Sequence, residues 1–456
     1  MDVTRLAAAF LSLLPPILLG VGVYLGIRLG FFPFLHPVRT ARALFGRSGE
    51  AGEQNGSSFS PSISARTEKK TSPFRAASVA IAGTIGVGNI AGVSLAILTG
   101  GAGAVFWMWV CGLLAMILKY AEITLAMDSR RPDGQGGLMG GTFFSMRDAG
   151  LPRMAAVFAV LMLVQAVAVG GMVQANAISD CLFDAFSCPP PLVGAVLVLM
   201  TLPITLGGGG SISAWTARLV PLMCLLYLLV TGAVILTHCG ELPHVFSDIM
   251  ASAFSPEATG GGIFGFLGSR AMRVGMARGL MSNEGGCGTA PSAHAASTEP
   301  IAARQGLFGI LEVFADTIVV CTLTALAILT AVPSAAAGMG GMTLVREAFT
   351  ATLGGAAPLL LAFMLTFFAY ATILSASFYG ESVLRFFGFG APVCRGFAFF
   401  FCFFVFCGAV STPSGIWLAA DVILGVMALF NLFLLVKRTD RIVELTASAG
   451  YCKRRK

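Results

Sequence analysis

Two apolar stretches of this 456-residue chain are interrupted by glycine where a helix would otherwise run on: Gly83-Thr84-Ile85-Gly86-Val87-Gly88-Asn89 and Ser282-Asn283-Glu284-Gly285-Gly286-Cys287-Gly288-Thr289. Glycine is a poor helix former, so each stretch is expected to unwind. Hydrocarbon cannot satisfy the N–H and C=O groups this frees, and irregular backbone at membrane depth is stable only against protein or a wet cavity. A pair of broken membrane helices therefore marks a solute site, and the chain reads as a transporter.

Composition leaves lipid as the solvent. Hydrophobic residues make up 56% of the chain and charged residues 11%, too apolar a balance for a soluble domain of this length. The net charge of +7 does not imply a nucleic-acid partner, because the basic residues gather in loops and in the C-terminal tail, where they orient a membrane protein. The 11 cysteines form no Cys-x-x-Cys pair. Most, such as Cys111, Cys321, Cys402 and Cys407, lie in apolar runs as small hydrophobes, and only Cys181 and Cys188, flanking one loop, are placed to pair.

A spanning helix needs about 20 mainly apolar residues. Windows of that kind fall at 8–32, 76–99, 102–127, 154–179, 191–206, 219–238, 263–297, 306–332, 355–380, 396–411 and 414–436, about eleven helices. The first has no small-residue cleavage site and carries Pro15-Pro16, so it reads as a retained helix. Odd-numbered connections hold Arg39, Arg42, Arg47, Arg66, Lys69, Lys70 and Arg75, then Arg130, Arg131, Arg147 and Arg153, then Arg218, Arg304, Arg385 and Arg395. Among the even ones, 180–190 and 239–260 hold no Lys or Arg, and 333–354 holds only Arg346. This bias puts the N-terminus outside and the C-terminus in the cytoplasm. The segment 46–72 reads as a flexible cytoplasmic loop, with its Asn55-Gly56-Ser57 sequon on the unglycosylated side.

The expected fold is all-α and polytopic. Residues 1–33 form an extra N-terminal helix, 34–75 a cytoplasmic loop, 76–238 a first five-helix repeat, 239–262 an extracellular loop, 263–436 a second repeat, and 437–456 a basic cytoplasmic tail. Each repeat opens with a broken helix, and because five is odd the second must insert upside down, as in many secondary transporters.

A zwitterion needs donors for its carboxylate and acceptors for its ammonium, and a helix break offers both. At the first break the amides of Val87 and Gly88 are expected to take the carboxylate, and the carbonyl of Thr84, with one near Ser282, the amine. Gly86 permits close approach. The second break adds Ser282, Asn283, Glu284, Gly285 and Gly286 as substrate-binding candidates, the Glu284 carboxylate serving either as a contact or as a structural pin. Gln174 and Asn176 either face the pathway or join helices, and Asn89 either binds the ion or caps a half-helix. Lys119 and Glu122, three apart, are expected to pair. Arg270, Arg273 and Arg278 are expected at the interface or on Glu284. Glu312, Asp316, Glu381 and Asp421 read as interhelical hydrogen-bond partners and His294 as a satisfied interior histidine. The Phe399-Phe400-Phe401 run reads as lipid-facing. An enzyme is not expected, since His-Glu-x-x-His and Gly-x-Ser-x-Gly are both missing. Two inverted halves fit alternating access better than a channel.

The chain resembles the alanine/glycine:cation symporter family, of leucine-transporter-like architecture. The likeness is carried by Ala82 through Gly92, Phe106-Trp107-Met108-Trp109, Lys119-Tyr120-Ala121-Glu122, Met172-Val173-Gln174-Ala175-Asn176, Ala277-Arg278-Gly279 with Ser282-Asn283-Glu284 to Ala290-Pro291, Asp316 through Thr322, and Tyr379-Gly380-Glu381. It implies a symporter importing a small neutral amino acid, with sodium as coupling ion and no other cofactor, in the plasma membrane of a prokaryotic cell. It also implies a sodium site built from Ala82, Ile85, Asn89, Phe368 and Thr372. Two departures stand out. Where the family shows adjacent threonines this chain has Ala371-Thr372, which keeps proton-coupled or sodium-independent transport as an alternative. Where the family has tryptophan this chain has Ala376, which is expected to enlarge the pocket toward glutamine-like substrates.

Overall fold

The computed structural model describes residues 3–46, 71–133, 136–254, 269–332, 340–411 and 416–452. Most of the 46–72 loop, its sequon, Arg47, Arg66, Lys69, Lys70, the stretch 255–268 and the last four basic residues of the tail lie outside this set. The described chain is almost wholly helical, with one two-residue hairpin pairing Arg131–Pro132 with Leu138–Met139.

The helices that frame the bundle are α1 (Val3–Leu29), α2 (Pro73–Thr84), α3 (Val93–Gly100), α4 (Gly103–Asp128), α5 (Pro152–Phe186), α6 (Pro190–Leu206), α7 (Gly208–Thr237), α8 (Arg270–Asn283), α9 (Ala302–Ala331), α10 (Ala357–Phe386), α11 (Ala391–Val410) and α12 (Ile416–Lys437), followed by α13 (Thr439–Ser448). Among the described residues eight helices are long and apolar enough to cross a membrane. The pair Pro73–Thr84 and Gly88–Gly100 passes the same test together, bent by 50°. The α6 helix is shorter, and α8 ends at the second break.

Caps fit the sequence. Ser72 opens α2 by accepting from the Arg75 N–H at 3.3 Å, with Pro73 at the first helical position, and Ser269 opens α8 by accepting from the Met272 N–H at 3.2 Å. Wider, π-type turns occur at Gly88–Gly92, within α5 at Ala166–Val173 and within α9 at Phe314–Cys321. Such turns are rare and concentrate at functional sites.

At the centre α2 packs on α7 and α10, while α4 packs on α8 and α9. The connections are not plain loops. Pro37–Phe45, Leu242–Ala253 and Gly341–Leu353 are helical, as is α13 in the tail. A search for 20-residue apolar windows passes over such elements because each is short and only one stripe is apolar. Val245, Ile249 and Ala253 form such a stripe on Leu242–Ala253, and the Ala253 carbonyl accepts from the Trp107 indole at 3.3 Å.

Candidate functional site

α2 ends at Thr84, Ile85 turns extended, and the helix resumes after Val87. Among the described residues the carbonyls of Ala82, Gly83, Thr84 and Ile85 accept no hydrogen bond, and the N–H groups of Val87 and Gly88 donate none. Gly88 is exposed while Ile85, Gly86, Val87 and Asn89 around it are buried. Unsatisfied donors and acceptors thus converge on one opening within the bundle. Neighbouring helices close on the remainder: a Cβ added to Gly86 would lie 3.0 Å from Thr372 Oγ1 and 3.8 Å from Gln174 Oε1. Gln174 Oε1 is itself buried without a partner.

Phe368, Thr372, Ser375 and Tyr379 recur at helical spacing along α10, and the last three meet the break or α2. A Cβ added to Gly83 would lie 2.8 Å from both Ser375 Oγ and Tyr379 OH, and Ser375 Oγ donates to the Val79 carbonyl at 2.7 Å. Thr372 Oγ1 has one protein partner, the Phe368 carbonyl at 3.1 Å. Ala82, Ile85 and Phe368 are fully buried.

Asn89 joins the first break to two other elements. Its Oδ1 accepts from the Gly86 N–H at 2.9 Å, and its Nδ2 donates to Asp316 Oδ1 at 2.6 Å and to Ser282 Oγ at 3.0 Å. Asp316 Oδ2 accepts from Ser282 Oγ at 2.8 Å and from Thr317 Oγ1 at 2.9 Å. Asp316 is thus the interhelical partner expected of it, and it ties both breaks to the wide turn of α9. The sequence signal for this hub is an aspartate inside an otherwise apolar helix, which does not by itself name its partners.

The second break is buried throughout. Glu284 takes a left-handed conformation, φ 48°, as do Gly286 at φ 86° and Gly288 at φ 79°. The Asn283 side chain spans its own turn, accepting from the Gly285 N–H at 2.8 Å and donating to Thr317 Oγ1 at 3.1 Å. Glu284 Oε2 accepts from Thr289 Oγ1 at 2.5 Å across the break, and its carbonyl accepts from Lys119 Nζ at 3.3 Å. Gly286 and Gly288 are held by Asn431 Nδ2, at 2.9 Å, and Thr142 Oγ1, at 2.8 Å. The first break is therefore open and the second pinned. Bonds between Glu284 and Arg270, Arg273 or Arg278 are absent among the described residues, because the carboxylate turns inward to Thr289. Lys119 does meet Glu122, at 3.7 Å, but lies closer to Glu312, at 3.2 Å. His294 is satisfied by Glu312 and Gln305.

Ala376 is buried against the wide turn of α5: a Cβ added to Gly170 would lie 2.3 Å from the Ala376 Cβ. On that side the room expected from losing an indole is occupied by the neighbouring helix. Asn176 Nδ2 donates to the Ser411 carbonyl at 2.8 Å, joining α5 to the end of α11. Glu381 bonds within its own helix, to Arg385 at 2.6 Å, rather than between helices, and Arg385 also reaches Asp133 at 3.8 Å. These three residues, with Met139, Ser292 and Ala296, line a separate cavity farther along α10.

This arrangement of broken helices defines a class. The fold is similar to that of MhsT in complex with L-phenylalanine, with a TM-score of 0.57 at 14% identity over 84% of this chain and 93% of that one. The profile of the sodium:alanine symporter family matches residues 3–456. A sodium/alanine symporter of Methanococcus maripaludis is 36% identical over 94% of this chain and 92% of its own length. A probable sodium/glutamine symporter of Bacillus subtilis is 30% identical over 98% and 89%. The chain belongs to the sodium:alanine symporter family. It is a multi-pass membrane transporter and not an enzyme.

Proposed function

We propose that the chain imports a small neutral amino acid by alternating access, driven by sodium. One observation carries this reading: the first break leaves carbonyls and N–H groups without partners at an opening where Gly88 alone is exposed. The Val87 and Gly88 amides bind the substrate carboxylate, with Gly86 admitting it and Gln174 Oε1 beside it. The Thr84 carbonyl accepts from the ammonium. Sodium, a hard cation, takes the carbonyls of Ala82, Ile85 and Phe368 with the hydroxyl of Thr372. Asn89, Ser282, Asn283 and Asp316 hold this geometry, and Glu284, Gly285 and Gly286 form the pinned counterpart that moves against it. The Ala376–Gly170 contact favours an alanine-sized substrate over a glutamine-sized one. The loop charge bias favours a cytoplasmic C-terminus in a prokaryotic plasma membrane.

Uptake of labelled alanine into proteoliposomes, with an inward sodium gradient and then with sodium replaced by choline at fixed pH, tests the proposal. Concentrative uptake that collapses without sodium is expected. Unchanged uptake in choline would transfer the coupling to the proton and overturn the sodium site.

A further inference from the structure

Away from the first break runs a fully buried chain of ionisable side chains, His294, Glu312, Lys119 and Glu122. Gln305 Nε2 donates to His294 Nδ1 at 2.8 Å, and His294 Nε2 lies 3.1 Å from Glu312 Oε2, so an imidazole with its one N–H on Nε2 satisfies both bonds. Glu312 Oε2 accepts from this N–H, and its Oε1 accepts no hydrogen bond but lies 3.2 Å from the Lys119 ammonium. Glu122 Oε2 accepts from the Gly288 N–H at 3.2 Å and from Asn431 Nδ2 at 2.7 Å; its Oε1 likewise accepts no hydrogen bond and lies farther from the ammonium, at 3.7 Å.

One ammonium thus faces two carboxylates where nothing is solvated. Other ionisable groups around Glu122 add no cation: Glu284 and Cys287 come from the second break and Tyr379 from α10. A second, unmatched carboxylate in such a place costs several kcal/mol, and a carboxyl avoids that cost by taking a proton. Glu122 Oε1, the farther of the two from the ammonium, is where it fits.

We propose that Glu122 is a proton-binding site, and that its proton decides which group Lys119 holds. With the proton on Oε1, Lys119 rests on Glu312 and on the Glu284 carbonyl, the arrangement observed. When the O–H bond breaks, its electron pair stays on Oε1 and the proton passes to water; the new carboxylate, 3.7 Å from the ammonium, competes for Lys119. The Glu284 carbonyl then loses its donor at the residue where the chain turns out of α8. Gly288 bonds Glu122, and Ser292, four residues on, lines the separate cavity, which is the proposed entry for the proton. The proposal rests on the chain's being a transporter but on no choice of amino acid or cation.

The test is the apparent unfolding temperature of the detergent-purified protein from about pH 5 to about pH 9, where ordinary glutamates, near 4.3, are already ionised. The folded state holds a proton that the unfolded chain lacks, so stability falls as pH rises. The wild type is expected to lose roughly 2–4 °C across this range. Glu122→Gln, which imitates the protonated acid and keeps an acceptor for Asn431 and Gly288, is expected to lose that slope. Infrared spectra of the wild type are expected to show a protonated-carboxyl band that disappears on alkalinisation and shifts in Glu122→Asp. A flat wild-type profile, an unchanged slope in Glu122→Gln, or no titrating band would overturn the proposal. Uptake enters none of these measurements, so failure of alanine transport and failure of this site are distinguishable.

Discussion

Replacing Thr372 by valine separates a sodium ligand from a structural hydroxyl. The side chain keeps its shape, and Oγ1 has one protein partner, the Phe368 carbonyl four residues back at 3.1 Å. Removing a neutral bond of this kind costs about 1 kcal/mol, and less where the carbonyl already serves its own helix, so stability should barely change. If the hydroxyl also coordinates sodium, the loss resembles that of a charge-assisted bond, about 1.5–3 kcal/mol. At 1.4 kcal/mol per decade, this raises the sodium concentration for half-maximal uptake roughly 10- to 150-fold. The assay is initial alanine uptake against external sodium at fixed pH, with thermal unfolding as control and Thr372→Ser restoring the wild-type curve. A valine variant with wild-type sodium dependence would refute the assignment.

Gly88→Ala adds a methyl into open space, since nothing lies within 4 Å of its added Cβ, so uptake is expected to fall at least tenfold with the unfolding temperature unchanged. Asp316→Ala strands the donors of Asn89, Ser282 and Thr317, and at about 1–3 kcal/mol each a lower unfolding temperature or loss of folded protein on size-exclusion chromatography is expected. Ala376→Trp must displace Gly170, and overpacking of about 1–3 kcal/mol should lower the unfolding temperature; a stable variant would show that the helices part easily there.

What the sequence disclosed depended on range. The break at Gly83 to Asn89 was legible because glycine and apolar runs act locally, and the 50° bend falls there. The helix Leu242–Ala253 was not, because a single stripe of three buried residues makes a weak signal in a loop. Asn89 had two readings, and the structure gave a third: it bonds back to Gly86 and out to Asp316, 227 positions away. Lys119 and Glu122 are neighbours on one helix face, yet Glu312, far along the chain, is the nearer partner.

The order of residues determined that this chain lives in lipid and where two of its helices must break, because hydropathy and glycine's lack of a Cβ are properties of single residues and short runs. Only the tertiary structure decided that the two breaks differ, one left with bare peptide groups at an opening and the other fastened by Lys119, Thr142, Thr289 and Asn431. Whether a freed carbonyl finds a donor depends on which distant helix packs beside it, and that is set by the folding of the whole bundle.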